Sequence, residues 1–179
     1  MNLLLPLSIK QGAVFAYPTE TVWGLGCSPF HYESVMRILE MKHRNIDKGL
    51  ILLVGQWEQL GELFEQLPAQ DRMRLNHPTL EPTTYLIEHQ NMIPSWITGK
   101  FDTVAVRRSS NPWIKNICAR LGHPIVSTSA NISGQETVRN KYVAIKQFYA
   151  QVDFIAPGDV KPKCSPSKII HLSTQKRLR

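Results

Sequence analysis

The chain has 179 residues, 42% of them hydrophobic, and its 21 lysines and arginines against 14 acids leave a formal charge of +7. That length and apolar content exclude a disordered chain and suit a single domain over residues 1–179, and no apolar run reaches the ~20 residues of a membrane-spanning helix, so no membrane partner is expected. Three widely spaced cysteines, Cys27, Cys118 and Cys164, form no CxxC pair, which argues against a disulfide framework or a zinc site and for a reducing, cytoplasmic setting.

Met1 to Ile9 lacks the basic start and small-residue cleavage site of a secretion signal. Ala13 to Tyr17 reads as a buried strand ended by Pro18. Val35, Ile38 and Leu39 recur at helical spacing, which predicts a helix over roughly 31–43. Leu50 to Val54 is an apolar run of strand length, Gln56 to Leu67 reads as a helix, and Thr84 to Glu88 and Val104 to Arg107 read as strands. The clearest helix follows: Asn111 can cap it, Pro112 suits its first turn, Ile114, Ile117, Cys118 and Leu121 share one face, and Gly122 can close it. Ile125 to Thr128 is then a strand, Lys141 to Ala150 a helix and Val152 to Ala156 a strand. Ile169 to Leu172 and Lys176 to Leu178 could pair as a last hairpin. Strands and helices alternate without strict order, so the expected fold class is α/β with a mixed parallel and antiparallel sheet.

Several familiar chemistries lack their motifs. There is no GxxxxGK[ST] loop, no GxSxG elbow and no HExxH, and the six histidines show no metal-ligand spacing, so no protein metal site is expected. Gly24-Leu25-Gly26 is only a fragment of a dinucleotide fingerprint. Four segments carry polar chemistry instead. Tyr17 to Gly26 packs two threonines, a carboxylate and two glycines into what reads as one turn after a strand, either a ligand loop or an ordinary strand-ending turn. Lys42, Arg44 and Lys48 follow the first long helix. The first two suit a helix C-terminus on dipole grounds, whereas Lys48 lies past it, and the three could together clamp a triphosphate.

Pro124 to Gly134 runs from an apolar strand into small hydroxyl residues. Such a loop can hold phosphate beyond a strand end, or be a simple Ser/Thr turn; no neighbouring histidine activates a serine, so no covalent nucleophile is expected. Arg107 stands in the apolar strand that Val104 opens, where it needs either an anionic partner or a solvated edge. After Asp159 there is no acid but six bases, a segment that either faces a polyanion or is a solvated tail.

These segments, in this order, resemble the signature stretches of the YrdC family of threonylcarbamoyl-adenylate synthases: YPTETVWGLG from Tyr17, KHRNIDKGL from Lys42, TVAVRR from Thr103, PIVSTSANISG from Pro124, and SPSKII from Ser165. The resemblance runs from about residue 8 to residue 172. It implies a twisted mixed sheet with flanking helices around a concave basic ligand cleft. It also implies condensation of L-threonine, bicarbonate and ATP, the last carrying Mg²⁺, to threonylcarbamoyl-AMP and pyrophosphate. A downstream tRNA-modifying transferase complex would then use that product on the adenosine beside the anticodon.

By position, the resemblance implies that Thr21, Arg107, Ser127 and Ser167 contact threonine, that Arg44, Lys48, Thr103, Ser129 and Thr137 contact ATP, and that Lys42 and Arg44 serve catalysis at the phosphates. The chain departs from the family pattern twice. Thr79-Leu80-Glu81-Pro82-Thr83-Thr84 stands where the family has Trp-Pro-Gly-Pro-x-Thr, and Leu53 stands where many members have a histidine that contacts threonine. Two other readings compete: a non-catalytic module that binds RNA directly, on the basic balance, and a carbamoyl-transfer domain like those in hydrogenase-maturation enzymes.

Overall fold

A computed structural model describes residues 4–19, 22–134, 136–138, 140–160 and 167–179. Eight strands make one sheet: β1 (Phe15–Pro18), β2 (Trp23–Gly26), β3 (Ile51–Val54), β4 (Thr83–Glu88), β5 (Thr103–Arg108), β6 (Ile125–Ser129), β7 (Phe154–Ile155) and β8 (Lys168–His171), in the order β7-β1-β2-β6-β3-β5-β4-β8. The pairs β1/β7, β3/β5 and β4/β8 are parallel and the other four antiparallel, so the sheet is mixed as expected. Among the described residues seven helices flank it: α1 (Leu5–Lys10), α2 (Tyr32–Met41), α3 (Glu62–Glu65), α4 (Ala69–Asn76), α5 (Ser95–Thr98), α6 (Pro112–Leu121) and α7 (Lys141–Phe148). Among the described residues no helix is long and apolar enough to cross a membrane.

Local rules explain where the sequence reading holds. Asn111 Oδ1 accepts from the Trp113 amide at 2.9 Å, Pro112 opens α6, and Gly122 ends it at φ 76° in the left-handed region. Two expectations are corrected. Trp23 to Gly26 is not part of a turn but a central strand: Gly26 sits so tightly against its neighbours that a Cβ would lie 2.7 Å from the Phe15 ring and 2.9 Å from the Val126 carbonyl oxygen. Glycine here answers a packing demand between strands, not a bend. The expected helix over 56–67 is broken, because Gly61 (φ 58°, ψ −132°) separates the 3₁₀ turn Trp57–Leu60 from α3.

Alternate residues of each strand point to opposite sides of the sheet, and two cores result. On one side Leu52, Val54, Val104, Val106 and Val126 pack with Val35, Ile38 and Leu39 of α2, Leu75 of α4, Ile97 of α5 and Phe148 of α7. On the other, Phe15, Tyr17, Leu53 and Ile125 pack beneath Leu5 and Ile9 of α1 and Ile114, Ile117, Cys118 and Leu121 of α6. The second side is only half covered, and its open half is where polar residues gather.

Cys27 and Cys118 are free and fully buried, and burial pushes both thiols up, that of Cys118 to about 12. Cys164 lies outside the described residues.

Candidate active site

The open half of the sheet face holds a cavity of about 420 Å³, within the range of small-molecule sites. Strand register builds its floor. Ile51 of β3 pairs with Ser127 of β6 on one side and Ala105 of β5 on the other, and Arg107 is two residues along β5 on the same face. Ser127 and the Arg107 strand therefore stand two strand spacings apart, about 10 Å, with Ile51 between them. Arg44, Thr137, Ser129, Ser167 and Arg179 complete the polar wall. No carboxylate occurs among the described lining residues, so the cavity presents three arginines and several hydroxyls to its contents.

Arg44 is placed by the turn that follows α2. His43 takes φ 47°, which reverses the chain at the helix end, and Asn45 Oδ1 accepts from the Asp47 amide at 2.8 Å to cap the 3₁₀ turn Ile46–Lys48. That turn rests on Gly99, at φ 63°, where a Cβ would lie 2.5 Å from the Asp47 carbonyl oxygen; only glycine allows so close a seat. The Arg44 guanidinium donates to the Gly49 carbonyl at 2.8 Å, while its buried Nε–H has no hydrogen-bond partner among the described residues. Burial holds the Arg44 pKa below its ordinary value. A half-buried guanidinium with an unmet donor in a cavity wall is suited to an incoming anion.

Lys42, two residues earlier, sits differently. It is buried, and its ammonium donates to the Ser129 carbonyl, to the Asn131 carbonyl at 2.6 Å and, at longer range, to Asn131 Oδ1 at 3.4 Å. Its own carbonyl accepts from the Ser133 amide at 2.9 Å, and Ser129 Oγ donates to Asn131 Oδ1 at 2.6 Å. Lys42 thus pins the loop after β6 to the end of α2 and lies behind the cavity wall instead of in it. Burial, and then the neighbouring Arg44 charge, push its pKa down to about 8.

Two cavity serines are backed by buried hydroxyls. Tyr17 donates to Ser127 Oγ at 2.6 Å, and the hydroxyls of Thr84 and Ser167 are 2.9 Å apart. Arg179 donates to the Ser167 carbonyl at 3.1 Å, and its own carbonyl accepts from the Ile169 amide, which brings the basic end of the chain to the cavity rim.

Of the residues expected from sequence, the structure brings Arg44, Arg107, Ser127, Ser129, Thr137 and Ser167 to one cavity. Thr21 lies outside the described residues. Lys48 is exposed on its 3₁₀ turn, and Thr103 begins β5 on the Arg107 face but four residues before it; neither lines the cavity. Leu53 is fully buried beneath α6 and adds to the apolar layer beside the cavity. The Thr79–Thr84 loop is tied to β8 by an ion pair of 2.7 Å between Glu81 and Lys168, which holds the Glu81 carboxyl below its ordinary pKa. Arg179, Tyr17 and Thr84 are site residues that motif reading missed. The acid-free basic end pointed toward Arg179, but nothing local marks the two buried hydroxyls.

A mixed sheet whose open face gathers arginines and hydroxyls around one cleft defines an α/β protein with a cleft chemically suited to small anions. The chain belongs to the Sua5/YciO/YrdC family: residues 8–179 match the family model, whose description is "Telomere recombination". It is 44% identical over 168 residues to a protein of Pseudomonas fluorescens (strain Pf0-1) named threonylcarbamoyl-AMP synthase, covering 93% of this chain and 89% of that one. Among solved structures it is similar to P. abyssi Sua5 complexed with L-threonine, at a TM-score of 0.79 and 32% identity, and to a variant of the same protein at a TM-score of 0.84 and 31% identity. These matches cover 95% and 94% of this chain but 50% and 52% of the P. abyssi chain, so this chain spans about half the length of those structures.

Proposed function

We propose that this chain is a threonylcarbamoyl-AMP synthase: it condenses L-threonine, bicarbonate and ATP into threonylcarbamoyl-AMP, with release of pyrophosphate and water. In this reading the carbamate oxygen of N-carboxythreonine attacks the α-phosphorus, a P–O bond forms, and the bond to pyrophosphate breaks. Such a displacement needs alignment and charge neutralisation more than a protein nucleophile. The observation that carries the reading is the arrival of Arg44, Arg107, Ser127, Ser129, Thr137 and Ser167, from distant parts of the chain, at one cavity with no carboxylate among its described lining residues.

Each group has a task that suits its chemistry. Arg107 pairs with the threonine carboxylate, and Ser127, Ser167 and Thr21 orient that amino acid. Arg44, aided by Arg179, neutralises the phosphates, while Ser129, Thr137, Thr103 and Lys48 hold the nucleotide. Lys42 serves catalysis from behind, by fixing the loop that presents Ser129. Among the described residues no cluster of three or more His, Cys, Asp or Glu could hold a metal, so Mg²⁺ would enter on the triphosphate and add charge neutralisation there. The product, a mixed anhydride, calls for an acceptor enzyme, and we assign that role to a tRNA-modifying transferase complex in the cytoplasm.

The test is pyrophosphate release from Mg-ATP by the pure protein in bicarbonate buffer, with and without L-threonine. Release that requires both threonine and bicarbonate is the expected result. A folded protein that binds ATP but releases no pyrophosphate with both present would overturn the reading.

A further inference from the structure

We infer that the Tyr17 hydroxyl is a positioning group for amino-acid recognition: it holds Ser127 so that the serine's own proton points into the cavity, toward an anionic oxygen of the substrate. The inference rests on the reading of Ser127 as a threonine contact and goes beyond it.

The geometry is specific. Tyr17 is fully buried, and its hydroxyl donates to Ser127 Oγ at 2.6 Å. The two residues are not neighbours in the sheet. Tyr17 is on β1 and Ser127 on β6, with β2 between them. Tyr17 pairs in register with Gly24, and a Cβ on Gly24 would meet the Tyr17 ring at 3.2 Å. The glycines of β2 therefore leave a shallow lane across which the phenol reaches the second strand over. This is a packing reason for Gly24-Leu25-Gly26, a fragment that phosphate binding does not explain. The ring is held at the other end by stacking on Trp113, with centroids 5.8 Å apart and planes at 20°, and by Phe15 at 5.5 Å.

A serine hydroxyl has one proton and two lone pairs. With Tyr17 filling a lone pair, the proton of Ser127 is directed elsewhere, and among the described residues no protein acceptor takes it. Ser127 lines the cavity, so the remaining direction is into it. A hydroxyl that accepts a hydrogen bond is also a better donor, so the relay strengthens the contact it aims.

Tyr17→Phe deletes one oxygen and keeps the ring stacking. It should raise KM for L-threonine about fivefold, the worth of one ordinary hydrogen bond, with a smaller change in kcat and KM for ATP unmoved. Calorimetry with L-threonine alone should show the same loss of affinity. Ser127→Ala should do likewise, and the double variant should bind threonine no more weakly than Ser127→Ala. A Tyr17→Phe effect that falls equally on ATP and threonine, or multiplies with that of Ser127→Ala, overturns the relay. If Ser127→Ala weakens threonine binding and Tyr17→Phe does not, the relay alone is wrong. If Ser127→Ala leaves threonine binding intact, the threonine assignment of Ser127 falls and the relay falls with it.

Discussion

One side of the sheet carries two regions that share strands but not chemistry. Beneath α1 and α6, Phe15, Leu53 and Ile125 are fully buried among aliphatic and aromatic neighbours. Two residues along the same strands, Ile51 and Ser127 form the floor of the cavity with Arg107 and Arg44. The boundary therefore runs across β3 and β6, not between them. What differs is cover: where a helix lies over the strand the next inward residue must be apolar, and where none does, a cation or hydroxyl stays solvated until a ligand arrives. The covered region supplies stability, and in the proposed function the open one supplies affinity.

The widest separation between the two should come from α6. Ile117→Ala removes a fully buried side chain and should cost about 2–5 kcal/mol in chemical denaturation, yet leave KM for threonine unchanged at a temperature where the variant is folded. A shift in KM as large as the loss of stability would mean that the regions are coupled. From the open side, Arg44→Ala should cut turnover at least tenfold, about 1.4 kcal/mol of barrier, with little loss of melting temperature. Lys42→Ala should lower both, because Lys42 joins α2 to the loop carrying Ser129. Near-normal turnover in both variants would remove the phosphate role from this segment.

Asn111 lies between the regions. Its Oδ1 caps α6 and its Nδ2 donates to the Pro18 carbonyl at 2.9 Å, fixing the covering helix to the end of β1. Asn111→Ala should cost about 1 kcal/mol of stability in denaturant titration. The last effect is electrostatic and shows as a trend with pH. Lys42 is pushed to about 8 in the fold from an ordinary 10.5, so across that window the unfolded chain holds a proton the folded chain has shed, and stability rises with pH. The unfolding free energy of the wild type relative to Lys42→Met should therefore climb from pH 8 to pH 10. A flat difference would show that the carbonyls of Ser129 and Asn131 keep the ammonium charged.

Much of this was legible from residues alone. The α6 signals at Asn111, Pro112 and Gly122 are local, so they act the same in any fold, and the apolar run Leu50–Val54 becomes β3 with a one-residue difference at its start. Gly24 and Gly26 misled, because glycine is poor in strands unless a neighbour needs its missing Cβ, and those neighbours, Tyr17 for Gly24 and Phe15 for Gly26, are known only from strand pairing. Lys42 and Arg44 show the same limit at the site. They stand two residues apart with like charge, and sequence treats them as a pair. The reversal at His43 sends one ammonium into a ring of carbonyls and the other cation into the cavity.

Sequence by itself thus determined the α/β class, the ends of α6 and the polar segments that would matter, since propensity, capping and composition are properties of short stretches. Tertiary structure alone decided which cation faces the cavity and which braces a loop. It also brought Tyr17 across β2 to Ser127, Thr84 to Ser167 and Arg179 to the rim. Each of those depends on strand order and register, and therefore on contacts between residues far apart in the chain.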